Sequence, residues 1–102
     1  MEIASIRVRE GSGAAFEAAM NEASQLLQQA HGFRAMSLNR VLERPDEYQL
    51  LVQWDSVEAH MTGFQKSDLF TRWRALLGGF FSGTPLVCHT VQVMRSGVGP
   101  LP

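Results

Sequence analysis

The sequence predicts an α+β fold, in which four antiparallel strands form one sheet and helices cover one face of it. Segments with apolar residues at every second position alternate with segments that have them every three or four positions. Their order is strand, helix, strand, strand, helices, strand. The chain of 102 residues has the size of one domain. Together these observations indicate a split βαβ unit with a ferredoxin-like sheet.

The first strand is predicted at residues 3–9, where apolar and polar side chains alternate. After a break around Gly11, apolar residues at spacings of four, three, four and three predict a helix that ends at Gly32. Residues 33–43 and 48–54 then form a hairpin around a turn that contains Pro45 and Asp46. The apolar stripe of the helix consists of Phe16, Met20, Ala23, Leu27 and Ala30.

The second half of the chain is predicted to hold two helical segments and a strand. Asp55 or Ser56 caps a short helix that carries His60 and Phe64 on one face. Apolar residues at helical spacing continue over 69–80, and a loop follows at 82–85. The last strand is predicted over 86–94. We expect residues 1–95 to form the single domain and residues 96–102, rich in glycine and proline, to be a flexible tail.

The composition points away from several partners. Hydrophobic residues make up 45% of the chain, which supplies a core, and the formal net charge is -1. Lys66 is the only lysine, and the arginines are not clustered as in proteins that contact phosphates, so we expect no nucleic acid partner. No stretch is apolar over the roughly 18 residues of a membrane span, and the N-terminus does not resemble a signal peptide. One cysteine, Cys88, cannot form an internal disulfide, so we expect a cytoplasmic protein with no membrane partner.

The hairpin register decides which polar residues face the helices. If the turn contains two or four residues, Glu43 pairs with Tyr48 and Asn39 lies opposite Val52, on the helix side of the sheet. A turn of three or five residues would place Asn39 on the other side. With the even-numbered turn, Asn39 joins Trp54 on the covered face.

Two histidines are expected to face the layer between sheet and helices. His89 lies on the inner face of the last strand, and His60 points toward the sheet from the short helix. Either one could be a hydrogen-bonded core residue, but their convergence favours a small-molecule pocket. The pocket would be lined by Trp54, Phe64, Phe70 and Trp73, although an aromatic stripe is more often part of a core.

The outer face of the sheet mixes polar residues with apolar ones such as Leu51 and Leu86. Such a face suits a self-complementary homodimer that forms through the sheet, and a simple solvent-exposed face is the alternative. No phosphate-binding glycine motif follows the first strand, and the three histidines lack metal-ligand spacing. Cys88 and His89 point to opposite faces, so they cannot act as a nucleophile and its base. We expect no nucleotide cofactor and no metal.

The segment Trp54-Asp55-Ser56-Val57-Glu58-Ala59-His60, followed by Phe64 and by Pro85-Leu86-Val87-Cys88-His89, resembles the antibiotic biosynthesis monooxygenase family. The resemblance covers nearly the whole chain. It implies a dimeric α+β barrel with a pocket between sheet and helices, and oxidation of phenols or quinols by molecular oxygen without metal or flavin. The haem-degrading branch has an asparagine on its first strand and a tryptophan and histidine on its helices. Ser5 or Arg7, Phe64 and Arg74 hold those places here, which argues against haem degradation.

The resemblance therefore implies a cofactor-independent monooxygenase that acts on a small phenol, quinol or polyketide-like aromatic. His60 or His89 would be the base that forms the substrate anion, and Asn39 and Trp54 would orient the substrate. The alternative is a dimeric barrel without turnover that binds a small hydrophobic ligand, or a stress-response protein, because one fold can serve several functions.

Overall fold

The computed structural model describes residues 1–99 and has the predicted order of elements. The strands form one antiparallel sheet in the order β2-β3-β1-β4, which confirms the ferredoxin-like α+β fold. A π-helical turn, Ala59–Phe64, precedes the second helix, and a 3-10 turn, Gly78–Phe80, follows it. The remaining elements are β1 (Glu2–Arg7), α1 (Gly13–Gln28), β2 (Phe33–Arg40), β3 (Glu47–Trp54), α2 (Asp68–Leu77) and β4 (Leu86–His89).

Both helices pack on the same face of the sheet. The inner face of β1 and β3 is apolar at alternate positions, and α1 lays its own apolar stripe against it. Each fully buried large side chain contributes about 1.5 to 3 kcal/mol to folding, so this layer determines which face the helices cover. The core includes Ala4, Ile6, Val8, Phe16, Met20, Ala23, Leu26, Leu27, Tyr48, Leu50, Val52, Trp54, Trp73 and Leu77.

The predicted hairpin register is wrong. Leu38 pairs with Leu50 and Asn39 with Gln49. The amide of Val41 donates to the carbonyl of Glu47, so the turn holds residues 42–46 and is odd in length. Because neighbouring residues of a strand point to opposite faces, this turn moves Asn39 to the outer face and brings Met36 and Leu38 against the core.

The last strand is shorter than predicted. β4 ends at His89, whereas the sequence pattern extends to Met94. The ladder between β1 and β4 ends where the Thr90 amide donates to the Met1 carbonyl, so residues 91–94 have no strand of the described chain beside them. Val91 and Val93 are consequently 81% and 91% exposed. Of the expected tail, residues 96–99 are exposed and irregular, and residues 100–102 lie outside the described residues.

Two further features concern residues 1–99. None of the helices there combines the length and apolar character needed to cross a bilayer. No three histidine, cysteine, aspartate or glutamate side chains in that range are grouped as metal ligands.

Candidate functional site

A cavity of about 210 Å³ lies between the sheet and the segment that contains the π-helical turn and α2. This volume is below the roughly 300 to 1,000 Å³ of pockets for drug-sized ligands, so the cavity suits a small molecule. Its lining is mainly apolar and aromatic, with few polar side chains. The cavity is lined by Glu2, Ala4, Ile6, Leu27, Leu50, Val52, His60, Phe64, Gln65, Phe70, Trp73, Arg74, Phe81, Thr84, Pro85 and Val87.

Among residues 1–99, Glu2 and His60 are the two buried polar residues, with exposures of 7% and 3%. The Nε1–H of Trp54 donates to Glu2 Oε1 at 2.8 Å, and His60 Nε2 lies 3.3 Å from the same oxygen. The Trp54 ring stacks on the His60 imidazole, with centroids 5.5 Å apart and planes 21° apart. The tryptophan therefore holds both the carboxyl group and the imidazole.

The other ring nitrogen of His60 contacts His89. His60 Nδ1 and His89 Nε2 are 2.8 Å apart, and the Gln65 amide nitrogen lies 3.4 Å from His60 Nε2. His89 is half-buried on the edge strand β4, where it is the cross-strand partner of Glu2. Glu2, His60 and His89 thus form one connected polar chain that runs from the cavity to the sheet edge.

Burial changes the proton affinity of this chain. Burial raises the pKa of the Glu2 carboxyl above its usual value, against the Trp54 hydrogen bond and the N-terminal amine, which lower it. Burial, assisted by the charge of His89, lowers the pKa of His60 from 6.5 to about 4. His60 is therefore neutral at pH 7 and can both accept and donate a proton.

Local structure sets the position of His60. Ser56 Oγ accepts the Ala59 amide N–H at 3.1 Å, as expected for one of the two residues predicted to cap this segment. Gly32 has a φ of +84°, and a Cβ placed there would lie 2.6 Å from the Ala59 Cβ. The Gly32 carbonyl also accepts the Asp55 amide at 2.7 Å. Only glycine permits this close approach, so Gly32 allows the turn that carries His60 to pack against it.

Four of the seven predicted site residues line the cavity, namely His60, Phe64, Phe70 and Trp73. His89 and Trp54 lie behind His60 and reach the cavity only through it and through Glu2. The indole N–H expected to orient a substrate is thus engaged by Glu2. Asn39 lies on the outer face of the sheet, away from the cavity.

Glu2 is a site residue that sequence reasoning missed. The predicted first strand begins at Ile3, with the alternating residues Ala4, Ile6 and Val8 facing the core. The same alternation, extended back by two positions, places Glu2 on that face. A carboxylate on an otherwise apolar inner face was the available signal.

Comparison with known proteins gives one consistent family. The family model described as antibiotic biosynthesis monooxygenase matches residues 1–76. The uncharacterized protein YczJ of Bacillus subtilis is 34% identical over 92 residues, which cover 90% of this chain and 97% of that protein.

Solved structures show the same fold. A protein from Bordetella bronchiseptica named for this family has a TM-score of 0.89 and 41% identity, over 91% of this chain and 95% of that one. A single-residue mutant of SnoaB, a cofactor-independent oxygenase from Streptomyces nogalater, has a TM-score of 0.74 and 16% identity, over 93% and 95% of the two chains. At that identity the second similarity concerns the fold alone.

Proposed function

Because this chain belongs to the antibiotic biosynthesis monooxygenase family, we propose that it is a cofactor-independent monooxygenase that oxidises a small phenol, quinol or polyketide-like aromatic with molecular oxygen. The observation that carries the proposal is a neutral, buried imidazole, His60, in the wall of an apolar cavity. The family supports the reaction class, since one structural relative, SnoaB, is named a cofactor-independent oxygenase. The size of the cavity supports a small substrate.

The reaction needs a base more than it needs a cofactor. A phenol that loses its proton becomes electron-rich enough to reduce oxygen directly, and the substrate supplies all the electrons. For an anthrone-like phenol, the methylene carbon gains one oxygen atom and loses two hydrogens, and the second oxygen atom leaves as water. The protein has to remove the phenolic proton, hold the ring and exclude water.

The lining of the cavity fits these tasks. Phe64, Phe70 and Trp73 offer aromatic surfaces, and Phe64 lies edge-on to the other two with ring centroids 5.5 and 6.1 Å away. Arg74, an exposed residue, brings a positive charge to the cavity lining. We assign the three aromatic residues to substrate binding and His60 to proton removal.

Oxygen uptake tests the proposal. The purified protein would be incubated with hydroquinones and anthrone-like phenols while dissolved oxygen is recorded, with heat-denatured protein as the blank. Uptake that scales with protein concentration and is saturable in substrate supports a monooxygenase. Absence of uptake across the panel, together with saturable binding of the same compounds, would instead identify a non-catalytic binding protein.

We also propose that two copies associate through the outer face of the sheet. Leu86 is 75% exposed on that face, and Val91 and Val93 project from the segment that follows β4 with no strand beside them in the described chain. Their alternation with polar residues is that of a strand, and a second copy offers a sheet against which it can pair. A homodimer would cover these apolar side chains.

We place the protein in the cytoplasm, where an exposed thiol such as that of Cys88 stays reduced. Fractionation of the native host with an antibody against this chain tests the location.

A further inference from the structure

The pKa of His60 is far below that of the phenol whose proton it has to remove. A phenol has a pKa near 10, and that of His60 is about 4, so a proton transferred to His60 and left there faces a gap of about six units. Delivery of the same proton to water at pH 7 faces only about half of that gap. The geometry around His60 provides a route for such delivery.

We propose that Glu2, His60 and His89 form a proton relay that carries the substrate proton from the cavity to the edge of the sheet. The inference rests on the proposed function for its substrate, but its structural basis is independent of it. Glu2 lines the cavity, His60 Nε2 is 3.3 Å from Glu2 Oε1, and His60 Nδ1 is 2.8 Å from His89 Nε2. An imidazole with a partner on each nitrogen can accept a proton on one side and release one from the other.

The transfers balance at each atom. His60 removes the substrate proton through Glu2: the substrate O–H gives its proton to the Glu2 carboxylate, and Glu2 Oε1 passes a proton to His60 Nε2. The proton on His60 Nδ1 moves to His89 Nε2, and His89 Nδ1 releases a proton to water. The net result is a substrate anion in the cavity and one proton in solution, with no charge left on the buried imidazole.

The burial of each of the three residues fits its position in the relay. Glu2 and His60 are almost completely buried, which excludes competing water, whereas His89 is half-exposed on the edge strand. The groups around the chain are the Trp54 indole N–H, the Gln65 amide, the N-terminal amine and the guanidinium of Arg74 in the cavity lining. Trp54 bonds Glu2 directly, so its indole proton reports the charge of Glu2.

Nuclear magnetic resonance tests the coupling without any substrate. The Trp54 indole signal of ¹⁵N-labelled protein, assigned by comparison with Trp73→Phe, would be followed against pH in wild type, Glu2→Gln, His89→Gln and His31→Gln. The relay predicts a titration of the indole signal that disappears in Glu2→Gln. Its midpoint should shift by about half a pH unit or more in His89→Gln and stay unchanged in His31→Gln, an exposed site. An identical titration in His89→Gln and wild type would overturn the relay. The signal dispersion of each spectrum verifies folding, and His89→Asn replaces a variant that does not fold.

Turnover gives the second readout. With a substrate found by oxygen uptake, His89→Ala should lower the rate at pH 7 by about 10-fold or more. Added imidazole should restore part of the rate, because it can reach the place of the missing side chain from the exposed edge of the sheet. Full activity of His89→Ala would overturn the relay while leaving the proposed function intact. Failure of the whole panel would remove the proposed function, and the indole titration would still decide whether the three groups share a proton.

Discussion

Trp54 and His60 lie face to face, with their ring planes 21° apart, and the same indole donates its N–H to Glu2. One side chain thus fixes the orientation of the imidazole and offsets part of the cost of burying a carboxyl group next to it. The polar chain of the site is therefore built into the core and is not supported by flexible loops. Its contributions to stability and to activity can be separated by substitution.

Replacement of His60 by glutamine should reduce oxygen uptake by about 10²- to 10⁴-fold at neutral pH, because the amide cannot take up the proton. Higher pH should restore part of the rate, since solvent then ionises the phenol. The comparison is the rate per folded protein against His31→Gln, the same change at an exposed histidine. A His60→Gln protein with the full wild-type rate at pH 7 would exclude His60 from proton removal.

Trp54→Phe should destabilise the protein by about 1 to 3 kcal/mol more than Trp73→Phe in urea unfolding. Both changes remove an indole from the core, but only the first deprives the buried Glu2 of a donor at 2.8 Å. Loss of this bond should also raise the pKa of Glu2 further, since the bond lowers it. Equal losses of stability in the two variants would contradict the role assigned to the bond.

Acid should destabilise the protein through His60. Its pKa is about 4 in the folded state against 6.5 as the ordinary value, so the unfolded chain binds a proton more readily between these limits. The free energy of unfolding should fall as the pH drops from about 6.5 to 4, by an amount on the order of 3 kcal/mol.

The matched measurement is unfolding of wild type and His60→Gln at several pH values. Glu2 acts in the opposite sense, because its raised pKa makes the folded state hold a proton more tightly as the pH falls. It is present in both proteins, so the difference between them isolates His60 and its coupling to Glu2 and His89. A difference that stays constant from pH 7 to 4 would contradict the prediction.

Gly32→Ala should destabilise the protein by about 1 to 3 kcal/mol more than Gly83→Ala. Both glycines have positive φ, +84° and +88°, so both variants carry the backbone strain. Only the Cβ at Gly32 would meet Ala59, at 2.6 Å, where the backbone has to shift. Thermal and urea unfolding of the two variants give the comparison. Equal stabilities would show that the turn before α2 can shift to accommodate the added Cβ at little cost in stability.

Light scattering at micromolar concentration should give a mass of about twice the 11.3 kDa of one chain. Leu86→Lys, on the outer face of the sheet, should shift the mass toward one chain, because a buried lysine would lack a partner. Leu42→Lys alters a leucine that is 84% exposed in the hairpin turn and serves as the control. A wild-type mass of one chain would remove the proposed homodimer.

The period-two and helical patterns were sufficient to predict the elements, their order and the covered face of β1 and β3. This works because each pattern follows from where side chains point along a single element, and burial of apolar area selects the face. The same reasoning predicted that His60, Phe64, Phe70 and Trp73 face the layer between sheet and helices, and these four residues line the cavity there, whereas Trp54 does not.

Strand register, strand length and side-chain contacts depend on two or more elements at once, and only the tertiary structure decided them. The five-residue turn set the hairpin register and moved Asn39 outward, since turn length and pairing are settled together. The structure ends β4 at His89, next to the bond from the Thr90 amide to the Met1 carbonyl, although the alternating pattern continues to residue 94. The contact of His60 with both Glu2 and His89 joins residues 58 and 29 positions apart, and no local pattern encodes a distance between three separate elements. Local sequence determines which way a side chain faces, and packing determines which side chain it meets.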